Sequence, residues 1–187
     1  MEIVEKPKRN EQIKQFLIFS IFSALILSIK PGYTGIENPL IFFLLVVIFA
    51  GIREIGRIKI AEKFSMYPVL RNWYPGLILG FLLAYFGFKL IPFIAIFSPY
   101  AFGRWKFKIK EKTIEEIGII SFLTLLIPLT FSIIFKILSL DILFQVNFFL
   151  LVSNLIPYFK LDGENIVKWG FDKWAFLILI LIFIYLL

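Results

Sequence analysis

Three side chains in the stretch GIREIGRIKI carry chemistry that the apolar run before it, LIFFLLVVIFA, lacks: Arg53, Glu54 and Arg57. The arginines stand four residues apart, one helical turn, and so share a face, while Glu54 projects about 100° away. A second polar window, SNLIPYFKLDGENI, holds Asn154, Pro157, Leu161, Asp162 and Gly163 and closes another apolar run. Paired guanidinium groups bind carboxylates through bidentate, charge-assisted hydrogen bonds. The 187 residues contain no histidine and no cysteine, which excludes imidazole and thiolate chemistry as well as disulfides. Carboxylates alone suit only a hard cation such as Mg²⁺ or Ca²⁺.

The elements that must position these groups lie in a membrane. The chain is 60% hydrophobic with a mean hydropathy of +0.90, more apolar surface than a soluble domain of this length can hide. Apolar runs place spans at about 15–29, 40–58, 117–138, 142–157 and 174–187. The run after the tail 1–14 reads as a retained first span, because no small-x-small cleavage site follows it. No linker or internal repeat divides the chain, so 1–187 is expected to be one membrane domain, closed by a C-terminal span over 171–187. The stretch 76–101 is long enough to cross, but Gly87, Lys89, Pro92 and Pro99 interrupt it, and LIPFIAIF has the character of a strand.

Charge placement bears on that stretch. If 76–101 dips in and returns, Arg104, Lys106, Lys108, Lys110, Lys112, Lys160, Lys168 and Lys173 all fall on the N-terminal side, which the positive-inside rule makes cytoplasmic. The expected fold is therefore an all-α polytopic protein of the cell membrane. It has five to six transmembrane helices and a re-entrant or short β-hairpin element around 76–101. The N-terminus and the basic loops are expected in the cytoplasm. The helix ending in Arg53–Arg57 and the helix ending in the LDG window then run inward together, and their polar clusters arrive at similar depth. The net charge of +7 is explained by these loops facing anionic lipid, with the bilayer and not nucleic acid as the partner. Trp73, Tyr74, Trp105, Trp169 and Trp174 sit near span boundaries, as an interfacial belt would.

Two histidines one helical turn apart with a glutamate after the first, H-E-x-x-H, bind zinc in metalloproteases, the glutamate acting as base. REIGR has that pattern with arginine at each histidine position. NLIPYFKLDG resembles the N-x-x-P-x-P-x-L-D-G element of the site-2 protease family, the intramembrane zinc metalloproteases. The resemblance covers about 40–170, with Gly56 falling where that family commonly has glycine. It implies ligand positions at Arg53, Arg57 and Asp162, a base position at Glu54, and a substrate-backbone contact for Asn154. It also implies a membrane-associated strand region within 76–101.

The departures decide the expected function. Both histidine ligands are arginine, Phe159 replaces the second proline, and Lys160 adds a cation beside Asp162. Zinc catalysis needs about three protein ligands and an open position, so neither a metal nor a catalytic residue is expected. Two arginines, Glu54 and Asp162 sum to zero charge, as do a dication, two neutral histidines and two carboxylates. The expectation is that the guanidinium groups replace the metal's charge, with Asp162 bridging them; the alternative is that both arginines reach the cytoplasmic interface and never meet Asp162. The chain would then be a catalytically inactive homologue that binds or regulates a transmembrane helix or peptide. The alternatives are an active intramembrane metalloprotease with a non-standard site, requiring zinc, and a small transporter or channel using the intramembrane charges. Gly56 serves either helix packing or the site, and Pro157 ends its helix so that Leu161, Asp162 and Gly163 can fold back.

Overall fold

A computed structural model describes residues 9–30, 38–99, 101–102, 108–109 and 113–186. The chain runs α1 (Arg9–Ser28), α2 (Pro39–Lys63), β1 (Met66–Arg71), α3 (Tyr74–Tyr85), β2 (Ile94–Pro99), β3 (Ala101–Phe102), β4 (Lys108–Ile109), α4 (Ile114–Ile137), α5 (Asp141–Leu155), α6 (Asp162–Trp169) and α7 (Phe171–Leu186). Arg104, Trp105, Lys106, Lys110 and Lys112 lie outside the described residues, as do 1–8 and 31–37.

Among the described residues three helices, α1, α2 and α4, are long and apolar enough to cross a membrane, and they mark the chain as a membrane protein. The 25 residues of α2 reach about 37 Å at 1.5 Å per residue. Pro39 opens the helix at its first position, where a missing N–H costs nothing. One face carries Leu44, Ile48, Ile52, Ile55 and Ile58, all exposed, and the other turns inward with Val46, Phe49 and Ala50. Thr113 caps α4, its hydroxyl accepting from the Glu116 N–H at 3.1 Å. Within α4, Pro128 interrupts the helical ladder, and Asn147 of α5 donates to the Pro128 carbonyl at 2.6 Å and to Ser132 Oγ at 2.8 Å. The helices α5 and α7, placed as spans by their hydropathy, have 15 and 16 residues, short of the roughly 20 that a straight crossing wants.

The stretch 76–101 is neither a simple crossing nor a hairpin. It holds most of α3, only 12 residues long, an extended connection, and β2. The partner of β2 lies upstream: β1 pairs with it antiparallel, from Met66 opposite Pro99 to Arg71 opposite Ile94. The strand pair therefore encloses α3 instead of a turn. A separate two-residue pairing joins β3 to β4.

Three apolar clusters hold the described elements, the smallest joining Ala61 of α2, Met66 of β1, Phe97 of β2 and Ile120 of α4. Phe19, Ile26, Val46, Leu77, Ile91 and Phe93 tie α1, α2 and α3 to the sheet, with Phe19 stacked on Phe93 at 4.1 Å. Leu125, Leu151, Leu155, Ile166, Leu177 and Leu181 tie α4 to α5, α6 and α7. Trp73, Trp169 and Trp174 have structural partners within this frame. Trp174 Nε1 donates to the Leu155 carbonyl at 2.8 Å, supplying a donor to the C-terminal end of α5.

Candidate functional site

Arg53, Glu54 and Arg57 lie past the midpoint of α2, on its inward face, at 2%, 4% and 0% exposure. A buried guanidinium needs acceptors on most of its donors, because desolvation of an unpaired cation is costly. Glu54 supplies them to both arginines. Its Oε1 accepts from Arg53 Nε at 3.0 Å and lies 2.9 Å from Arg53 Nη2, while its Oε2 accepts from Arg57 Nη1 at 2.9 Å. The bridge between the arginines is therefore Glu54, not Asp162. The helix-wheel offset is overcome because Glu54 and Arg57 are three apart and adjacent on the helix surface.

Asp162 approaches from the other end of the sequence. It opens α6, and its Oδ2 accepts from Arg57 Nη2. Two features put it there. Gly163 lets the start of α6 rest against the end of α5: a Cβ would stand 2.1 Å from the Leu155 carbonyl oxygen and 2.7 Å from that of Ile156. These are backbone atoms that cannot swing aside. Asn165 Nδ2 then donates to Ser121 Oγ at 3.1 Å, docking α6 onto α4.

The loop before Asp162 is strained. Helix α5 stops at Leu155, with Pro157 two residues on. Phe159 and Lys160 both take positive φ, 53° and 58°, which costs non-glycine residues about 1–3 kcal/mol each. Three contacts hold the conformation. The Phe159 ring stacks on Trp73 at 4.3 Å, the Lys160 N–H donates to Glu164 Oε2 at 2.6 Å, and Leu161 is buried. Glu164 also accepts from Lys168. That hydrogen bond, with the Lys160 N–H, holds its carboxyl below the ordinary glutamate range.

The remaining predicted positions have structural partners. At Gly56 a Cβ would stand 2.2 Å from Ile127 Cδ1, so α2 and α4 pack closely there. Asn154 is fully buried and donates to the Leu150 carbonyl of its own helix at 2.7 Å. Its Oδ1, and the two terminal nitrogens of Arg53, have no hydrogen-bond partner among the described residues. The Arg53 guanidinium instead faces the Phe93 ring at 5.6 Å. Sequence reasoning did not bring Phe93 or Ser121 to the site, and it read Trp73 as an interfacial aromatic and not as the partner of Phe159.

The donor set does not fit zinc. A guanidinium carries only hydrogen-bond donors and offers a metal no lone pair, and Glu54 and Asp162 already accept from it. Among the described residues no three His, Cys, Asp or Glu side chains group closely enough to hold an ion. What the arrangement does chemically is balance charge: two buried cations meet two buried anions on α2 and α6.

Over 134 residues the chain is 31% identical to a protein of Methanocaldococcus jannaschii described as a "Putative zinc metalloprotease". The match takes in 65% of this chain and 66% of that relative's length, just short of two thirds. No family model matches the chain, and no solved structure gives a significant match. The likeness supports a metalloprotease-like family for this membrane protein and extends no further into its activity.

Proposed function

We propose that the chain is a catalytically inactive homologue of intramembrane zinc metalloproteases that binds or regulates a transmembrane helix or peptide. The observation that supports this is the seat of the Arg57 guanidinium between Glu54 and Asp162. The positions that resemble a family metal site are filled by an ion-pair network that needs no dication. Hydrolysis by such a site would require a metal to lower the pKa of water toward about 7. Glu54, the position of the base, is here an acceptor for two arginines, one on each carboxylate oxygen. Neither zinc nor another cofactor belongs to this reading. The membrane is the cell membrane, with the N-terminus and basic loops cytoplasmic, as charge placement favours.

Metal analysis of the purified chain tests the proposal. The expected result is no stoichiometric zinc and no cleavage of a transmembrane substrate. Zinc that copurifies in stoichiometric amount, with activity lost on Glu54→Gln, would instead establish an active protease.

A further inference from the structure

Helix α3 packs beside α1 and ends in a turn that its own sequence builds. The Phe88 N–H donates back to the Leu83 carbonyl and the Gly87 N–H to that of Ala84, each at 3.0 Å, with Gly87 at φ 92°. Glycine at this place closes a helix and reverses the chain tightly. The chain then returns over α3. A Cβ on Gly80 would stand 2.0 Å from the Leu90 carbonyl oxygen, and the Ile91 N–H donates to Ser153 Oγ of α5 at 2.9 Å. The tip between them, residues 86–89, is therefore held from both sides.

Lys89 fixes where the tip lies. Its Nζ donates to the Leu27 carbonyl in the last turn of α1 and stands 5.9 Å from the centroid of the Phe42 ring in the first turn of α2. Asn72, just before α3, is bonded to Gln15, 12 residues earlier in α1 than Leu27, so the tip stands about 18 Å further along that helix. The 15 residues of α2 from Phe42 to Arg57 put it about 22 Å from the buried charges. Lys89 thus belongs to the end of the long helices opposite Arg57.

An ammonium group has three donors, and the Leu27 carbonyl takes one. No carboxylate among the described residues pairs with Lys89, and the side chain is only half-buried. An anion completes such a group at a membrane surface. Ile78, Leu82 and Phe86 stand at four-residue steps on α3 and its C-cap, all exposed, and Phe88 at the tip is exposed as well. An apolar stripe that ends beside a cation matches an amphiphile with an anionic head. A soluble anion would leave the stripe unused.

We infer that the α3 tip is a binding site for one phospholipid of the leaflet away from REIGR, with its phosphate on Lys89 and an acyl chain along Ile78, Leu82 and Phe86. The inference goes beyond the function proposed above and holds whether or not the chain cleaves a peptide bond.

Native mass spectrometry of the full chain in detergent tests it. The probes are phosphatidylglycerol, dioleoylglycerol as chains without phosphate, and glycerol 3-phosphate as a head without chains. One phosphatidylglycerol per chain should be retained, and neither of the other two. Lys89→Met keeps the apolar stem and should weaken retention about tenfold, as loss of one charge-assisted hydrogen bond allows, and Lys89→Arg should restore it. Leu82→Asn should weaken retention too, while Lys168→Met, at an exposed lysine of α6, leaves it unchanged. If Lys89→Met does not fold, Lys89→Gln keeps a donor for Leu27 without the charge, with the same expectation. Glycerol 3-phosphate held as tightly as the lipid would make the site an anion seat and overturn the inference, and dioleoylglycerol held as tightly would remove the phosphate from it. Equal losses from Lys89→Met and Lys168→Met, or no loss from the Lys89 variants, would also overturn it.

Discussion

Asp162 is hydrogen-bonded to Arg57, 105 residues earlier in the chain, and both side chains are buried. The contact joins α6 to α2 among the buried charged side chains Arg53, Glu54, Arg57 and Asp162. Removing one partner of such a pair leaves an uncompensated buried charge and costs about 3–5 kcal/mol. Asp162→Ala is expected to lower stability by that amount in detergent unfolding. Arg57→Met with Asp162→Leu should cost less than either single change, because Arg53 and Glu54 remain a neutral pair. A double-mutant cycle on Arg57 and Asp162 reads the coupling directly, and additive losses would show that the two residues do not interact.

Restoring the proline that resembles the family motif should harm this chain. Proline requires φ near −65°, whereas Phe159 sits at 53° and stacks on Trp73. Phe159→Pro is expected to destabilise by about 3 kcal/mol or more. Phe159→Gly loses the stack but suits the left-handed backbone, so its loss is smaller. Thermal unfolding of the two variants in the same detergent orders them.

Glu164 gives the loop a pH dependence of known sign. Its carboxyl is held low by the Lys168 hydrogen bond and the Lys160 N–H. Its stabilising contribution is therefore present above the ordinary glutamate value of about 4.3 and lost as pH falls through the lowered folded-state value. The difference in unfolding temperature between the parent chain and Glu164→Gln should be constant near neutral pH and shrink below about pH 4. Because Lys168 is exposed, the effect is small and fades with salt.

Much of the site was legible because its chemistry is concentrated in two short windows. Arg57 and Asp162 come from the REIGR and LDG windows and meet where α2 and α6 come together. Glu54 belongs to the expected charge cluster, but it and not Asp162 is the residue that both arginines share. Attention to the i, i+4 face of the arginines hid the i, i+3 relation between Glu54 and Arg57, and burial then drew Arg53 onto the same carboxylate. Strand β1 escaped notice because MYPVLR is buried at five of its six positions and carries a proline, so it shows no alternation. Its partner β2 was visible as an apolar, aromatic run, but pairing across the intervening α3 leaves no trace in local pattern. Helix α6, eight residues with glycine second, is held by Gly163 and Asn165 contacts to α5 and α4 and not by propensity.

The central claim is that Arg53 and Arg57 occupy, with Glu54 and Asp162, the place of a metal. Arg53→His combined with Arg57→His removes both cations and supplies two imidazoles beside Asp162, about the three protein ligands that zinc requires. Zinc measured on the purified, folded double variant should reach about one ion per chain, with none above background in the parent chain. A folded variant that takes up no zinc, or a parent chain that already carries it, would contradict the account.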